Sequence, residues 1–277
     1  MLYGALIGDI VGSRFERHPI KTTKFELFHP DCRFTDDTVM SFAIADAIEK
    51  IKSKSMNADE VRNTFISYMQ KYGKQYPNAG YGNTFCRWLA SSNPQPYNSF
   101  GNGSAMRVSP IAWKFDNLFE VEAYARASAE VSHNHPEGIK GAVVTAGCIF
   151  LAKTRHNKDL IINYVKMHDY ILKPLNQIRH NYKFDVSCQG SVPIAIEAFL
   201  ESETFEQAIR LAISMGGDAD TLGAIAGSIA EAYYNVPKSI ILNAEAYLPI
   251  ELRYKLYDLN GLNRIFEEEK LHQRGIL

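Results

Sequence analysis

The chain has 277 residues, 46% hydrophobic and 22% charged, a composition suited to one large or two small soluble domains with a substantial core. Lys and Arg number 30 and Asp and Glu 31, for a formal net charge of −1, which argues against a nucleic-acid or membrane-surface partner. The longest apolar run, 141–152, is too short to span a bilayer, and Met1-Leu2-Tyr3-Gly4 lacks the charged n-region of a secretion signal.

Helical periodicity dominates from the start. Residues 2–12 carry Gly4, Gly8 and Gly12 at every fourth position. Each glycine costs a helix about 1 kcal/mol, so the spacing predicts a smooth ridge for close approach of another helix. Ser13-Arg14-Phe15-Glu16 is a polar loop, and 21–28 reads as a short strand or extended segment. A helix follows Asp37 to about Lys52, burying Met40, Ile44, Ala47, Ile48 and Ile51. The next opens near Asn57, with Val61, Phe65, Tyr68, Met69 and Tyr72 on one face. Residues 76–82 are turn-rich, and 84–90 form a short helix. A loop rich in Pro, Asn, Ser and Gly then fills 91–104, and structureless loops of that length are usually functional.

Helices are predicted over 116–131, 136–154 and 158–168, with 173–189 irregular. Another spans 191–201, with Pro193 in its first turn. Thr204-x-x-Gln207 reads as a capping box for a helix burying Phe205, Ala208, Ile209, Ala212 and Ile213. The last long helix carries Leu222, Ile225, Ala226, Ile229, Ala230 and Tyr233 on one face, and shorter helical pieces run to the end. Strand signals are scarce, and no repeat, linker or low-complexity segment interrupts the chain. The pattern predicts a single all-α domain, 1–277. Cys32, Cys86, Cys148 and Cys188 contain no CxxC pair and read as reduced thiols of a cytoplasmic protein.

Two helix starts carry unusual chemistry. Phe34-Thr35-Asp36-Asp37-Thr38 opens one core helix and Gly216-Gly217-Asp218-Ala219-Asp220-Thr221 opens another. Asp and Thr are good N-caps, and a carboxylate at a helix N-terminus gains about 0.3–1 kcal/mol. Capping accounts for one aspartate per helix but poorly for two, because the second adds repulsion. If the motifs meet in space, four carboxylates cannot all remain ionised without cations, and oxygen-only ligands select Mg²⁺, Mn²⁺ or Ca²⁺ over zinc.

The stretch Tyr97-Asn98-Ser99-Phe100-Gly101-Asn102-Gly103-Ser104 has the makings of a phosphate cradle, though it lacks the Lys-Ser/Thr ending of a Walker loop and a plain surface turn is the alternative. Phe100 offers a ring for stacking on a base. His133 and His135 sit at i, i+2, where a zinc site or a helix start beside a ligand are both open, and His135 before Pro136 also suits a turn. Asp9, near a helix end, reads as structural. Glu16, on a polar loop beside an aromatic residue, reads as functional.

Taken together, Gly4-Ala-Leu-Ile-Gly-Asp-Ile-Val-Gly-Ser-Arg-Phe-Glu16, Phe34-Thr-Asp-Asp-Thr38, Gly101-Asn-Gly-Ser-Ala-Met-Arg-Val108, Ser132-His-Asn-His-Pro136 and Gly216-Gly-Asp-Ala-Asp-Thr221 resemble the ADP-ribosylglycohydrolase family, in family order and over most of the chain. The resemblance implies a compact, single-domain, all-α orthogonal bundle around a binuclear centre of two Mg²⁺, with Mn²⁺ as the substitute. It implies that Thr35, Asp36, Asp37, Asp218, Asp220 and Thr221 are metal ligands and that Glu16 is a mobile ligand and candidate base. A catalytic carboxylate, Glu16 or Asp36, then activates the water. Ser99, Gly101, Asn102 and Gly103 inherit the pyrophosphate-holding role, Phe100 the adenine-stacking one, and His133 a ligand contact.

The implied activity is Mg²⁺-dependent hydrolysis of the bond between ADP-ribose and a protein side chain or small-molecule acceptor, through an oxocarbenium-like transition state. The expected partner is an ADP-ribosylated protein or conjugate, and a monomer is expected. Two other classes compete: a Mg²⁺-dependent nucleotide phosphohydrolase, and a non-catalytic ADP-ribose-binding module.

Overall fold

The computed structural model describes residues 1–262. Over that range the chain is all-α, with fifteen helices and no strand. In order they are α1 (Tyr3–Gly12), α2 (Asp36–Lys52), α3 (Ala58–Gln75), α4 (Asn83–Ala90), α5 (Gly103–Met106), α6 (Ser109–Lys114), α7 (Leu118–Glu130) and α8 (Pro136–Arg155). Then come α9 (Lys158–Met167), α10 (Leu175–Ile178), α11 (Cys188–Leu200), α12 (Phe205–Ile213), α13 (Ala219–Tyr233), α14 (Lys238–Glu245) and α15 (Ile250–Leu259). The helical pieces predicted after Tyr234 are α14 and α15 as far as Leu262, and the remainder of that prediction lies outside the described residues.

The antiparallel pair α1 and α13 forms the centre, and every residue of α1 is buried. The glycine ridge works as its spacing predicts. A Cβ added at Gly4 would run into the Gly227 carbonyl, one at Gly8 into the Gly223 carbonyl, and one at Gly12 into the Ala219 carbonyl. The partner helix is smooth for the same reason: a Cβ at Gly223 would lie 2.5 Å from the Gly8 carbonyl oxygen. The register brings the end of α1 to the start of α13. Around this pair α2, α11, α12 and α8 bury Phe42, Ile44, Phe199, Ile209 and Val144.

Local chemistry explains where the prediction slipped. Of the two readings of 21–28, strand or extended segment, the strand does not form, because its carbonyls meet side chains rather than a ladder: Arg210 Nη1 donates to the Thr23 (3.2 Å) and Phe25 (2.6 Å) carbonyls. Helix α11 starts three residues before the predicted Ser191, where the Ser187 hydroxyl accepts from the Gly190 N–H (3.1 Å). Pro193 therefore lies inside the helix, not in its first turn, and the Gln189 carbonyl it leaves without an N–H belongs to an exposed residue. The Thr204–Gln207 box is half made. Thr204 Oγ1 accepts from the Gln207 N–H (3.2 Å), but Gln207 accepts from the Glu203 N–H, one residue before the cap. Helices α5, α6 and α10 are single turns or little more, too short for periodicity to register.

Helix α3 has the complete box. Asn57 Oδ1 accepts from the Glu60 N–H (3.0 Å), and Glu60 Oε2 accepts from the Asn57 N–H (2.9 Å). Replacing Asn57 by Ala is expected to cost about 1 kcal/mol, read as a lower urea midpoint at unchanged slope.

Candidate functional site

Three helix ends meet at one point: the C-terminus of α1 and the N-termini of α2 and α13. Asp9, in the last turn of α1, is fully buried and caps α2 from outside. Its Oδ2 accepts from the Thr35 N–H (2.8 Å), the Thr38 N–H (3.1 Å) and the Thr38 hydroxyl (2.5 Å), and its Oδ1 accepts from the Thr35 hydroxyl (2.7 Å). The N-cap residue Thr35 makes no side-chain cap bond of its own. Asp36 and Asp37 are thereby released from capping, which is the bland role open to them in the sequence.

The carboxylates gather in two overlapping groups. Asp9, Asp37 and Asp220 offer oxygens within 4.8 Å of one another, and so do Glu16, Asp218 and Asp220. Asp220 belongs to both. Asp37 Oδ1 is buried and accepts no hydrogen bond among the described residues, whereas Asp37 Oδ2 receives long contacts from the Thr35 (3.4 Å) and Thr221 (3.5 Å) hydroxyls. Asp220 Oδ1 accepts from the Thr221 N–H (3.0 Å), and Asp218 Oδ2 accepts from the Asn102 amide (2.7 Å). Asp36 joins neither group. It is partly buried at the rim, facing Gly80.

Electrostatics follow from this crowding. Burial, then the neighbouring acids, raise the carboxyl pKa values of Asp37 and Asp220 well above the usual range. Burial and Asp9 push Asp36 up to about 8. Burial also raises Asp218, against the Asn102 hydrogen bond that lowers it, and raises Asp9 against its four donors. The charged forms are thus disfavoured in the folded chain. A carboxyl raised above its unfolded value lends stability that is complete below the unfolded pKa and is lost as pH rises through the folded one. Without divalent cations the Tm should therefore fall between about pH 4 and pH 8 as these groups ionise. A cation that favours the ionised carboxylates should raise Tm more at pH 8 than at pH 5.5, which thermal scans with and without Mg²⁺ would read.

The glycine loop lies beside the acids. Gly101 and Ser187 form an antiparallel bridge: the Asn102 N–H donates to the Val186 carbonyl and the Cys188 N–H to the Phe100 carbonyl, both at 2.8 Å. Ser99 Oγ accepts from the Gly101 N–H (3.1 Å). Asn102 is buried, and its amide reaches Asp218 and Ser191, so its side chain ties the loop to the acidic cluster. The N–H groups of Gly103 and Ser104 open α5 without intrahelical acceptors. Phe100 is 49% exposed, its ring 5.4 Å from that of His135. His135 caps α8, its Nδ1 accepting from the Glu137 N–H (3.1 Å). His133 is buried between the rings of Tyr97 and Phe85, with Nε2 turned to Gly101 and Gly103. Among the described residues, neither histidine belongs to a cluster of His, Cys, Asp or Glu that could hold a metal ion.

Of the residues singled out in the sequence, Glu16, Asp37, Asp218 and Asp220 fall into the two acidic groups. Thr35 and Thr221 lie against Asp37, and Asp36 is at the rim. The loop Ser99–Gly103 and His133 form the neighbouring wall. Sequence reasoning missed the place of Asp9 in the cluster, the tie from Asn102 to Asp218, and the bridge at Ser187. The ridge register held the first of these: setting Gly8 against Gly223 also sets Asp9 near Asp220.

A family model described as ADP-ribosylglycohydrolase matches residues 1–273. The chain is 25% identical to ADP-ribosylhydrolase ARH3 of Homo sapiens, over 96% of this chain and 93% of that protein. It is 28% identical to ADP-ribosylhydrolase ARH3 of Danio rerio, over 98% and 93%. It is 25% identical to the ADP-ribosyl-[dinitrogen reductase] glycohydrolase of Rhodospirillum rubrum, over 74% and 70%. A solved structure titled ADP-ribosylglycohydrolase-related protein complex superposes with a TM-score of 0.68 at 23% identity, covering 95% of each chain, which establishes a shared fold.

Proposed function

The chain belongs to the ADP-ribosylglycohydrolase family, and from that premise we propose that it hydrolyses the glycosidic bond between ADP-ribose and an acceptor, releasing ADP-ribose. The named activities of its relatives in Homo sapiens and Rhodospirillum rubrum support this reading. The acceptor is a protein side chain or a small molecule, and the family domain takes up the whole of residues 1–277. The enzyme works as a cytoplasmic monomer without nucleic-acid or membrane partners. Among the described residues, no helix is long and apolar enough to cross a membrane.

The observation that carries the reading is the sharing of Asp220 by two acidic groups, beside a buried Asp37 oxygen that no donor satisfies. A buried, unsatisfied carboxylate oxygen is costly, and a cation supplies what a hydrogen-bond donor does not. An all-oxygen donor set fits two Mg²⁺, or Mn²⁺, held by Glu16, Asp37, Asp218 and Asp220, with Thr35, Asp36 and Thr221 completing the set. Six carboxylates crowd the site once Asp9 is counted. Two divalent ions offset four of those charges, and the N-termini of α2 and α13 roughly one more. Bound there, such ions polarise sugar hydroxyls and lower the pKa of water.

The chain's own groups do the rest. The loop of Ser99, Gly101, Asn102 and Gly103, with Phe100 and His133, anchors the ADP end and so supplies binding energy for placing the ribose over the acids. Glu16 or Asp36 accepts, on a carboxylate oxygen, a proton from the attacking water as it bonds to C1″ of the ribose. The C1″ bond to the acceptor breaks, its electron pair leaving with the acceptor. The test is a panel: free ADP-ribose released from arginine-, serine- and phosphate-linked substrates, with and without Mg²⁺. Mg²⁺-dependent release is expected. Phosphate release without ADP-ribose would replace the reading with a phosphohydrolase, and tight binding without turnover with a reader.

A further inference from the structure

Arg107 is the largest fully buried side chain among the described residues, and none of their carboxylates pairs with it. Its guanidinium lies over the Phe85 ring, 5.6 Å from the centroid. Arg107 Nη2 donates to the Ser128 carbonyl (3.1 Å) and to the Ser132 hydroxyl (3.0 Å). Ser132 Oγ is in turn 2.8 Å from His133 Nδ1. An arginine is only a donor, so Ser132 Oγ must accept from it. Ser132 is fully buried, and among the described residues Nδ1 is the other polar atom that its hydroxyl meets. The arrangement that gives the Ser132 hydroxyl proton an acceptor has Ser132 donating to Nδ1. The imidazole proton is then on Nε2.

That nitrogen faces the loop. A Cβ built on Gly103 would lie 3.1 Å from His133 Nε2, and one on Gly101 3.6 Å, and among the described residues no hydrogen-bond partner meets Nε2. Tyr97 and Phe85 flank the ring, with centroids 5.8 Å and 6.3 Å away. Burial and the nearby Arg107 charge also hold its pKa well below the usual histidine value, so the ring is a neutral donor.

We infer that Arg107, acting through Ser132, is a positioning residue that locks His133 in its Nε2–H form and aims that N–H at an anionic ligand oxygen on the glycine loop. The ligand class is a phosphate or diphosphate ester. Its charge also answers the buried guanidinium, which forms no salt bridge among the described residues. This deepens the proposed function and rests on the loop being the ADP-binding side of the site.

The test reads the tautomer directly, in intact protein. Long-range ¹H–¹⁵N correlation spectra of ¹⁵N-histidine-labelled protein, assigned with His133→Gln, should show His133 protonated at Nε2 and not at Nδ1. Ser132→Ala removes only the hydroxyl and leaves Arg107 its Ser128 partner. It should shift His133 towards Nδ1–H and weaken ADP-ribose binding about tenfold in calorimetry. His133→Gln, whose amide can place an N–H near the Nε2 position, should retain more affinity than His133→Asn. Nδ1–H or a charged ring in the parent protein, or unchanged tautomer and affinity in Ser132→Ala, would overturn the inference. The tautomer is readable whether or not ADP-ribose is turned over, so loss of hydrolytic activity in the panel assay leaves this result independent.

Discussion

Asp220→Asn should abolish uptake of Mg²⁺ at both acidic groups together and cut ADP-ribose release by well over 100-fold. Asp220 is the one carboxylate common to the two groups, so its loss is felt on both sides. Changing groups that merely support a metal ligand typically costs about 10–100-fold in affinity or activity, and a ligand shared by two ions should exceed that. The substitution keeps the side-chain shape and deletes one of several mutually repelling acids. In the absence of divalent cations the variant should therefore be at least as stable as the parent, because Asp220 is among the groups whose ionised form folding disfavours. Adding Mg²⁺ should then raise the Tm of the parent and leave that of the variant unmoved. Calorimetry beside thermal scans separates a lost site from a lost fold. Full hydrolysis by Asp220→Asn, or undiminished Mg²⁺ uptake, would show that the acids at the meeting of α1, α2 and α13 are not the catalytic centre.

The convergence of those helix ends was legible in the sequence to an instructive degree. Gly4, Gly8 and Gly12 repeat every fourth residue, a pattern that costs stability unless a partner needs the room, so a close helix contact could be read from them. Two acidic helix starts could be read as halves of one site. The double duty of Asp9 could not, because its capping bonds reach residues 26 and 29 positions away, and capping rules look only three or four residues ahead. Helix α11 starts before the point the sequence predicts because Pro193 looks like a first-turn residue, whereas the true cap, Ser187, owes its position to the bridge with Gly101. The segment 21–28 has strand-like residues but no strand to pair with, and backbone pairing is a property of the fold, not of eight residues. The relay from Arg107 to His133 was invisible for a related reason. The residues are 26 positions apart, and the protonation of a ring nitrogen is set by what its other nitrogen meets.

The glycine ridge also fixes the largest stability effect. Gly8→Ala adds one methyl group to a helix that, by propensity alone, would gain about 1 kcal/mol from it. The methyl would instead meet the carbonyl of Gly223 and the N–H of Ala224, which are backbone atoms of a buried helix and cannot rotate aside. The two helices must separate, and overpacking of this kind costs about 1–3 kcal/mol when side chains can yield and more when they cannot. A net loss of about 3 kcal/mol, or about 6–12 °C in Tm, is expected. Gly82→Ala is the control, since a Cβ there meets nothing within 4 Å, and its effect should stay within about 0.5 kcal/mol. The consequence extends to the site. Asp9 rides on α1, and Asp218 and Asp220 on the start of α13, so spreading the pair widens the gap between carboxylates that now approach within 4.8 Å. Gly8→Ala should therefore lose Mg²⁺ affinity even at temperatures where it remains folded. If it bound Mg²⁺ like the parent while unfolding at lower temperature, the close approach of α1 and α13 would serve packing alone, and the placing of the acids would have to come from the Asp9 cap on α2.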